Sequence, residues 1–290
     1  MVDETTCNWT SGVCTGTKCV TVNAGASDVQ VSSISQESYG QLNGVLGGAY
    51  TNRNFKGTGA LSASGLTDNH TAVVPFAFYV NKSVTSGGVT INNLTLAQVK
   101  LIFSGQIQDW SDMLGFDAQP INVCFRHAGS GSHAALDVTQ LRPAGAGING
   151  SQDLTGPYHY YFHDSSADMM KCINGSGTWM GPGAVGYASA DQNLSTYSLT
   201  AQVTFNGVAP TKTNVQNGAY DFWTIGHLYT TTSTDQWLNA LVTYARNPAH
   251  ITTPGYSSEC CMIYTKNADT YYPTYRGFST DPSCAGFVCP

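Results

Sequence analysis

Ile121-Asn122-Val123-Cys124-Phe125-Arg126-His127-Ala128-Gly129-Ser130-Gly131-Ser132-His133 decides the fold class. Ile121, Val123 and Phe125 alternate with smaller or polar residues, which predicts a short strand over 121–125. Beyond the glycines, Ala134, Ala135, Val138 and Leu141 fall on one helical face, so a helix follows. Between the two lies Gly129-Ser130-Gly131-Ser132, preceded by Arg126. A strand that breaks at glycines and opens into a helix aims several free backbone N–H groups in one direction. The helix dipole adds partial positive charge at the same place. Two hydroxyls and a guanidinium fork complete a cradle suited to an oxyanion. The plainer alternative is a glycine-rich turn with a serine N-cap.

At 290 residues the chain can form one large domain or two smaller lobes. Only 10% of residues are charged, and the net charge is −6 with 12 Lys and Arg. Nucleic acid and anionic membranes are therefore poor partners. An anionic ligand would have to be held by local dipoles and one or two cations, against the field of the whole chain. The nine cysteines show no C-x-x-C spacing and no Cys/His pattern of zinc type. They are read as disulfides formed in an oxidising compartment, periplasmic or extracellular. Cys284 with Cys289 is expected to close a small loop, Cys124 with Cys172 to bridge the middle of the chain, and the odd count to leave one cysteine over. No apolar run reaches membrane-spanning length.

Along the chain, Val20 to Val22 reads as a short strand and residues 31–60 as loop-rich. Ala72 to Val80 is an apolar, β-branched and aromatic run that reads as a buried strand, with Pro75 at a bend or crossover. Thr95 is placed to cap a helix that buries Leu96, Val99, Ile102 and Phe103 and stops at Gly105. A short helix is expected over 167–174, a strand over Gly183–Ala188 and a hairpin strand over 197–206 turning at Asn206-Gly207. Asp221 to Tyr229 reads as a further strand. Thr234 to Arg246 reads as an amphipathic helix with Trp237, Leu238, Leu241, Val242 and Ala245 inward. Strands and helices alternate, so the fold class is α/β, with ligands expected where strands end and helices begin.

Several of these pieces occur together in one family. Gly25-Ala26-Ser27-Asp28, Val73 through Asn81, Leu94 through Gly105 with Trp110 beyond, Arg126 through Ser132, Gly183 through Tyr187, and Tyr220-Asp221-Phe222-Trp223 stand in that order. The order and spacing, across about residues 20–250, resemble the periplasmic phosphate-binding proteins of ABC transporters. The resemblance implies a two-lobed, hinged type II periplasmic-binding-protein fold with a central β-sheet in each lobe. Residues 1–79 and 190–290 would form one lobe and residues 80–189 the other. The two crossover strands would lie near Val74–Asn81 and Val185–Ala190, with ligand trapped between the lobes.

The resemblance also implies a ligand set. Arg126 would pair with the oxyanion, and Ser130, Gly131 and Ser132 would donate from the helix start. Ser27 and Asp28 would face them from the opposite lobe. Asp28 would accept the proton that hydrogenphosphate still carries and sulfate lacks. Two departures stand out. Ala128 occupies a position where the family usually has aspartate. The strand, helix and strand that normally precede the Gly-Ala-Ser-Asp segment are not legible in the Cys/Thr-rich residues before Gly25. A second polypeptide would then complete the first lobe by strand addition.

Other constellations point elsewhere less strongly. His159 and His163 are spaced i, i+4 within an aromatic stretch and read as packing. Cys260-Cys261 reads as two halves of different disulfides rather than a copper site. Ser130 and Ser132 lie near His133, yet there is no G-x-S-x-G elbow. The expectation is an extracytoplasmic solute-binding protein for a tetrahedral oxyanion, foremost phosphate, serving an ABC transporter permease, with no enzymatic activity, metal or cofactor. The competing expectation is an extracellular structural or adhesive subunit on the same scaffold that has lost ligand binding.

Overall fold

The computed structural model describes residues 8–10, 13–15, 24–31, 63–126, 130–141, 160–163, 165–176, 180–231, 236–269, 272–275 and 284–289. In chain order the strands are β1 (Asn8–Thr10), β2 (Val13–Thr15), β3 (Ala24–Ser27), β4 (Leu66–Asn81), β5 (Thr85–Ser86), β6 (Val89–Thr90) and β7 (Asn93–Leu94). Helix α1 (Leu96–Phe103), β8 (Asn122–Arg126), α2 (Gly131–Leu136), β9 (Tyr160–His163), α3 (Ser166–Asn174) and β10 (Ala184–Ser189) follow. Then come β11 (Thr200–Phe205), α4 (Lys212–Gln216), β12 (Trp223–Thr231), α5 (Gln236–Arg246), β13 (Ser257–Ser258), β14 (Tyr264–Thr265) and β15 (Thr274–Tyr275). The expected strand at Val20–Val22 and the 32–60 stretch lie outside the described residues.

One strand organises the sheet. β4 is 16 residues long and pairs with different neighbours along its two halves. From Leu66 to Pro75 its partner is β12, which in turn carries β3. From Phe76 to Val80 it pairs antiparallel with β10, while β11 lies on its other side from Phe78 to Asn81. β10 continues the sheet through parallel β8 and parallel β9, giving the order β3-β12-β4-β10-β8-β9. The change of partner falls at Pro75, whose carbonyl accepts from Ala190 N at 2.9 Å while Phe76 N donates to Phe222 O at 2.9 Å. Proline has no N–H to offer a ladder, and the changeover is where the strand can spare one. The two segments expected to cross between lobes are thus neighbouring strands, held side by side.

Ring packing fixes the core around this crossing. Phe78 stacks on Phe222 with centroids 4.9 Å apart and meets Phe103 at 5.8 Å; Phe103 meets Phe125 edge-on at 5.4 Å. α1 is capped as expected: Thr95 Oγ1 accepts from Gln98 N, and Gln98 Oε1 accepts from Thr95 N at 2.8 Å. Gly105 has φ +72, and an added side chain there would strike the Tyr160 hydroxyl group. Asn206 and Gly207 take φ 51 and 81, the left-handed pair that a tight hairpin turn needs.

Two expectations are overturned, the second only in part. Cys284 and Cys289 do not bond each other: Cys260 joins Cys284 and Cys261 joins Cys289, so the adjacent cysteines enter two different bridges. Cys124–Cys172 forms as expected, pinning α3 to β8. α5 turns inward only in part: Leu238, Val242 and Ala245 are half-buried, none of its residues is fully buried, and Trp237 is 76% exposed and Leu241 50%. The face of β4 and β12 near this helix carries Asp68, His70 and His227, which give apolar side chains little to pack against.

Candidate functional site

β8 ends at Arg126, whose backbone N–H donates to the Tyr187 hydroxyl at 3.2 Å. The guanidinium is braced from α3, with Nη1 donating to Ser166 Oγ at 2.7 Å. Ser166 opens that helix, so the position of Arg126 is set by two elements besides its own strand. His127, Ala128 and Gly129 lie outside the described residues.

The chain re-enters description at Ser130, which occupies the N-cap of α2 with φ −78 and ψ 129. Ser130 makes no side-chain capping bond, and its Oγ is buried with no hydrogen-bond partner among the described residues. The turn-and-cap alternative therefore does not account for this serine. Buried hydroxyls normally find a partner, and this one adjoins the first-turn N–H groups that no helix satisfies internally. Ser132 is buried one residue into the helix. α2 runs on as a wider π-turn through Asp137–Leu141, and Ala134, Ala135, Val138 and Leu141 are all buried as the pattern required.

Asp28 reaches the cradle from the far side of the sheet order, just beyond β3. A Cβ placed on Gly131 would lie 2.7 Å from Asp28 Cβ and Cγ, closer than real side chains come. The carboxyl group is thus packed directly on the glycine that starts α2. Burial raises its pKa above the ordinary aspartate value, and the Arg126 charge pulls the other way. Ser27, in contrast, turns its hydroxyl to the local backbone, donating to Val29 O at 2.6 Å and accepting from Val29 N at 3.2 Å. That bond shapes the turn that presents Asp28. The structure thus brings Asp28, Arg126, Ser130, Gly131 and Ser132 to one place, with Ser27 behind Asp28.

Three further neighbours join the cradle: Ser166 and Tyr256 carried no signal in the sequence, and His163 read there only as packing. Ser166 steadies Arg126. Tyr256 feels the Asp28 charge, and burial pushes its hydroxyl up to about 12. His163 stands opposite Arg126 in the β8–β9 register and is buried. Burial lowers the His163 pKa to about 4; Asp168 opposes this shift and Arg126 adds to it. The folded chain therefore keeps His163 neutral where the unfolded chain, with a pKa of about 6.5, takes a proton. Its folded pKa is depressed, so stability is lost as pH falls below 6.5. The loss reaches about 2 kcal/mol by pH 5. Denaturant titrations at pH 7 and 5 should show this slope in the native sequence and a flatter one in His163→Gln.

Cys124, His163 and Cys172 lie close enough together to hold a metal ion, but the two cysteines are joined in a disulfide. No helix among the described residues is long and apolar enough to cross a membrane.

Comparison with known proteins bears on the fold and family. The family model for the PBP superfamily domain covers residues 45–247. The phosphate-binding protein PstS of Bacillus subtilis (strain 168) is 29% identical over 213 residues, 72% of this chain and 63% of that protein. The chain thus spans less than two thirds of that relative's length. Among solved structures, a putative phosphate ABC transporter substrate-binding protein with bound phosphate from Clostridium perfringens aligns with TM-score 0.51 and 22% identity, over 64% of this chain and 68% of that one. An ancestral soluble variant of the human phosphate binding protein aligns with TM-score 0.51 and 18% identity, over 66% and 68%. From its strand order and the family match over residues 45–247, the chain belongs to the PBP superfamily and has the type II periplasmic-binding-protein fold.

Proposed function

We propose that this chain binds phosphate between two lobes, residues 1–79 with 190–290 and residues 80–189, and delivers it to an ABC transporter permease outside the cytoplasm. The observation that carries the reading is the packing of Asp28 on Gly131 within the field of Arg126. A carboxylate in a cradle built for an anion is counterproductive unless the anion brings a proton to share. Hydrogenphosphate does so: three oxygens accept from Arg126, the Ser130 hydroxyl and the N–H groups of Gly131 and Ser132, while the fourth donates its proton to Asp28. Sulfate has no proton to donate at neutral pH and meets Asp28 as a like charge. The turn held by Ser27 presents Asp28, and neither metal nor bond-making chemistry is required. The kinship with phosphate-binding proteins and the three disulfides among the described residues support the same reading and an oxidising location.

Isothermal titration of the chain with phosphate and sulfate tests this. Saturable phosphate binding is expected, with sulfate at least a hundredfold weaker. In Asp28→Asn the amide offers a donor to either anion, and the ratio between them should narrow at least tenfold. A folded chain that takes up neither anion would sink the proposal and favour an assembly subunit on this scaffold.

A further inference from the structure

Beside β3, the paired strands β4 and β12 carry a second polar cluster, with His227 opposite Ser27 in the β12–β3 register. His70 and His227 stand directly opposite each other in the antiparallel register, and Asp68 lies two residues before His70 on the same face. The imidazole rings meet edge to face, with centroids 5.1 Å apart and planes at 84°. His227 Nδ1 lies 2.8 Å from Asp68 Oδ1 and 3.1 Å from Oδ2. His70 Nδ1 lies 2.8 Å from Glu259 Oε2. One nitrogen of each ring and one carboxylate oxygen of Asp68 all lie within 4.8 Å of one another.

The contacts mark where an ion would sit. The His227 side chain is 1% exposed and fixed in place, and its Nδ1 shares a proton with Asp68 Oδ1 across 2.8 Å, so an ion in that position takes both atoms as ligands. His70 has Glu259 on Nδ1, so its neutral form keeps the proton there and carries its lone pair on Nε2; a carboxylate behind the ring is the usual means of fixing that ligating tautomer. Asp68 and His70 side chains are each 34% exposed, so the cluster opens to solvent on one side and its two outer members can adjust. Ligands about 2.0–2.1 Å from a tetrahedral ion stand about 3.3 Å apart, so Asp68 eases away from His227 while His70 closes on both, and rotation of those two side chains supplies the difference. Arg246, whose charge reaches His70, works against a cation. The carboxylates of Asp68 and Glu259 outnumber it.

We propose that Asp68, His70 and His227 bind a divalent transition-metal ion of the zinc class, with Glu259 orienting His70. Two imidazoles and one carboxylate suit zinc, leave a fourth position for water, and draw no thiol from the disulfides. The site sits on the strand pair that carries β3, so an occupied site ties β4 to β12 and stabilises that half of the sheet.

The test uses the full chain, freed of metal by chelation and held in phosphate-free buffer. Cobalt(II) should give a visible d–d band of four-coordinate intensity that saturates at one ion per chain and is removed by zinc. Competition against a chromophoric chelator should show zinc binding weakened at least tenfold in both Asp68→Asn and His70→Ala. These variants alter partly exposed residues; circular dichroism checks that they fold, which the core change His227→Ala could prevent. Zinc should also raise the melting temperature of the native sequence and of neither variant. A folded native chain that gives no cobalt band overturns the proposal. So does zinc binding of unchanged strength in both variants.

Discussion

Gly131→Ala should abolish phosphate binding while leaving a folded protein. The backbone at Gly131 does not take the positive φ that only glycine tolerates, so alanine is conformationally allowed there and helix propensity favours it. The obstacle is Asp28. The new Cβ would lie 2.7 Å from Asp28 Cβ and Cγ, atoms one and two bonds from the backbone, which cannot swing aside as the end of a lysine could. Either the turn that Ser27 holds gives way or α2 backs off from Asp28. Both move the carboxylate relative to the Ser130 hydroxyl and the helix-start N–H groups. A cradle whose hydrogen bonds contribute about 1.5–3 kcal/mol each when charge-assisted cannot absorb an ångström of displacement. We expect at least a hundredfold weaker phosphate binding by calorimetry, with circular dichroism unchanged. Binding within threefold of the native chain would show that Asp28 and α2 do not converge on ligand.

Arg126→Ala should be at least as damaging, and Arg126→Lys nearly so. Arg126 combines the only guanidinium seen at the cradle among the described residues with a brace from α3 through Ser166. Alanine removes the charge that offsets Asp28. Lysine restores a charge but not a planar fork, and its ammonium cannot bond Ser166 and an anion in the same plane. We expect a loss of at least 300-fold for alanine and about 30-fold or more for lysine. Ser166→Ala should cost less, about five- to tenfold, because it loosens the fork without removing it. If Arg126→Ala binds phosphate as well as Arg126→Lys, the arginine serves the fold rather than the ligand. The two variants then separate charge from shape.

The parts legible in the sequence are those where local pattern and long-range packing agree. The alternation of Ile121, Val123 and Phe125, the cap at Thr95 and the turn at Asn206-Gly207 each have a local cause, and each appears where that cause placed it. The stripe on α5 held only in part, with Trp237 and Leu241 left exposed, for the converse reason. A period of 3.6 shows that a helix has an apolar side, not what faces it, and the nearby sheet surface carries His70, His227 and Asp68. The cysteine pairs divide the same way. Cys124 and Cys172 meet because β8 and α3 are packed together, whereas the nearness of Cys284 to Cys289 in sequence said nothing of Cys260 and Cys261. Ser166, Tyr256 and His163 reach the cradle only through the tertiary fold, and no spacing along the chain could have announced them.

The paired bridges at Cys260 and Cys261 have a topological consequence. With the peptide bond between those two residues and the segment from Cys284 to Cys289, they close a small covalent ring in which every link is a bond rather than a contact. Heat or denaturant can empty the core, yet the chain stays closed on itself through that ring. The denatured chain is never an open string, and refolding begins with the last segment already tethered beside residue 260.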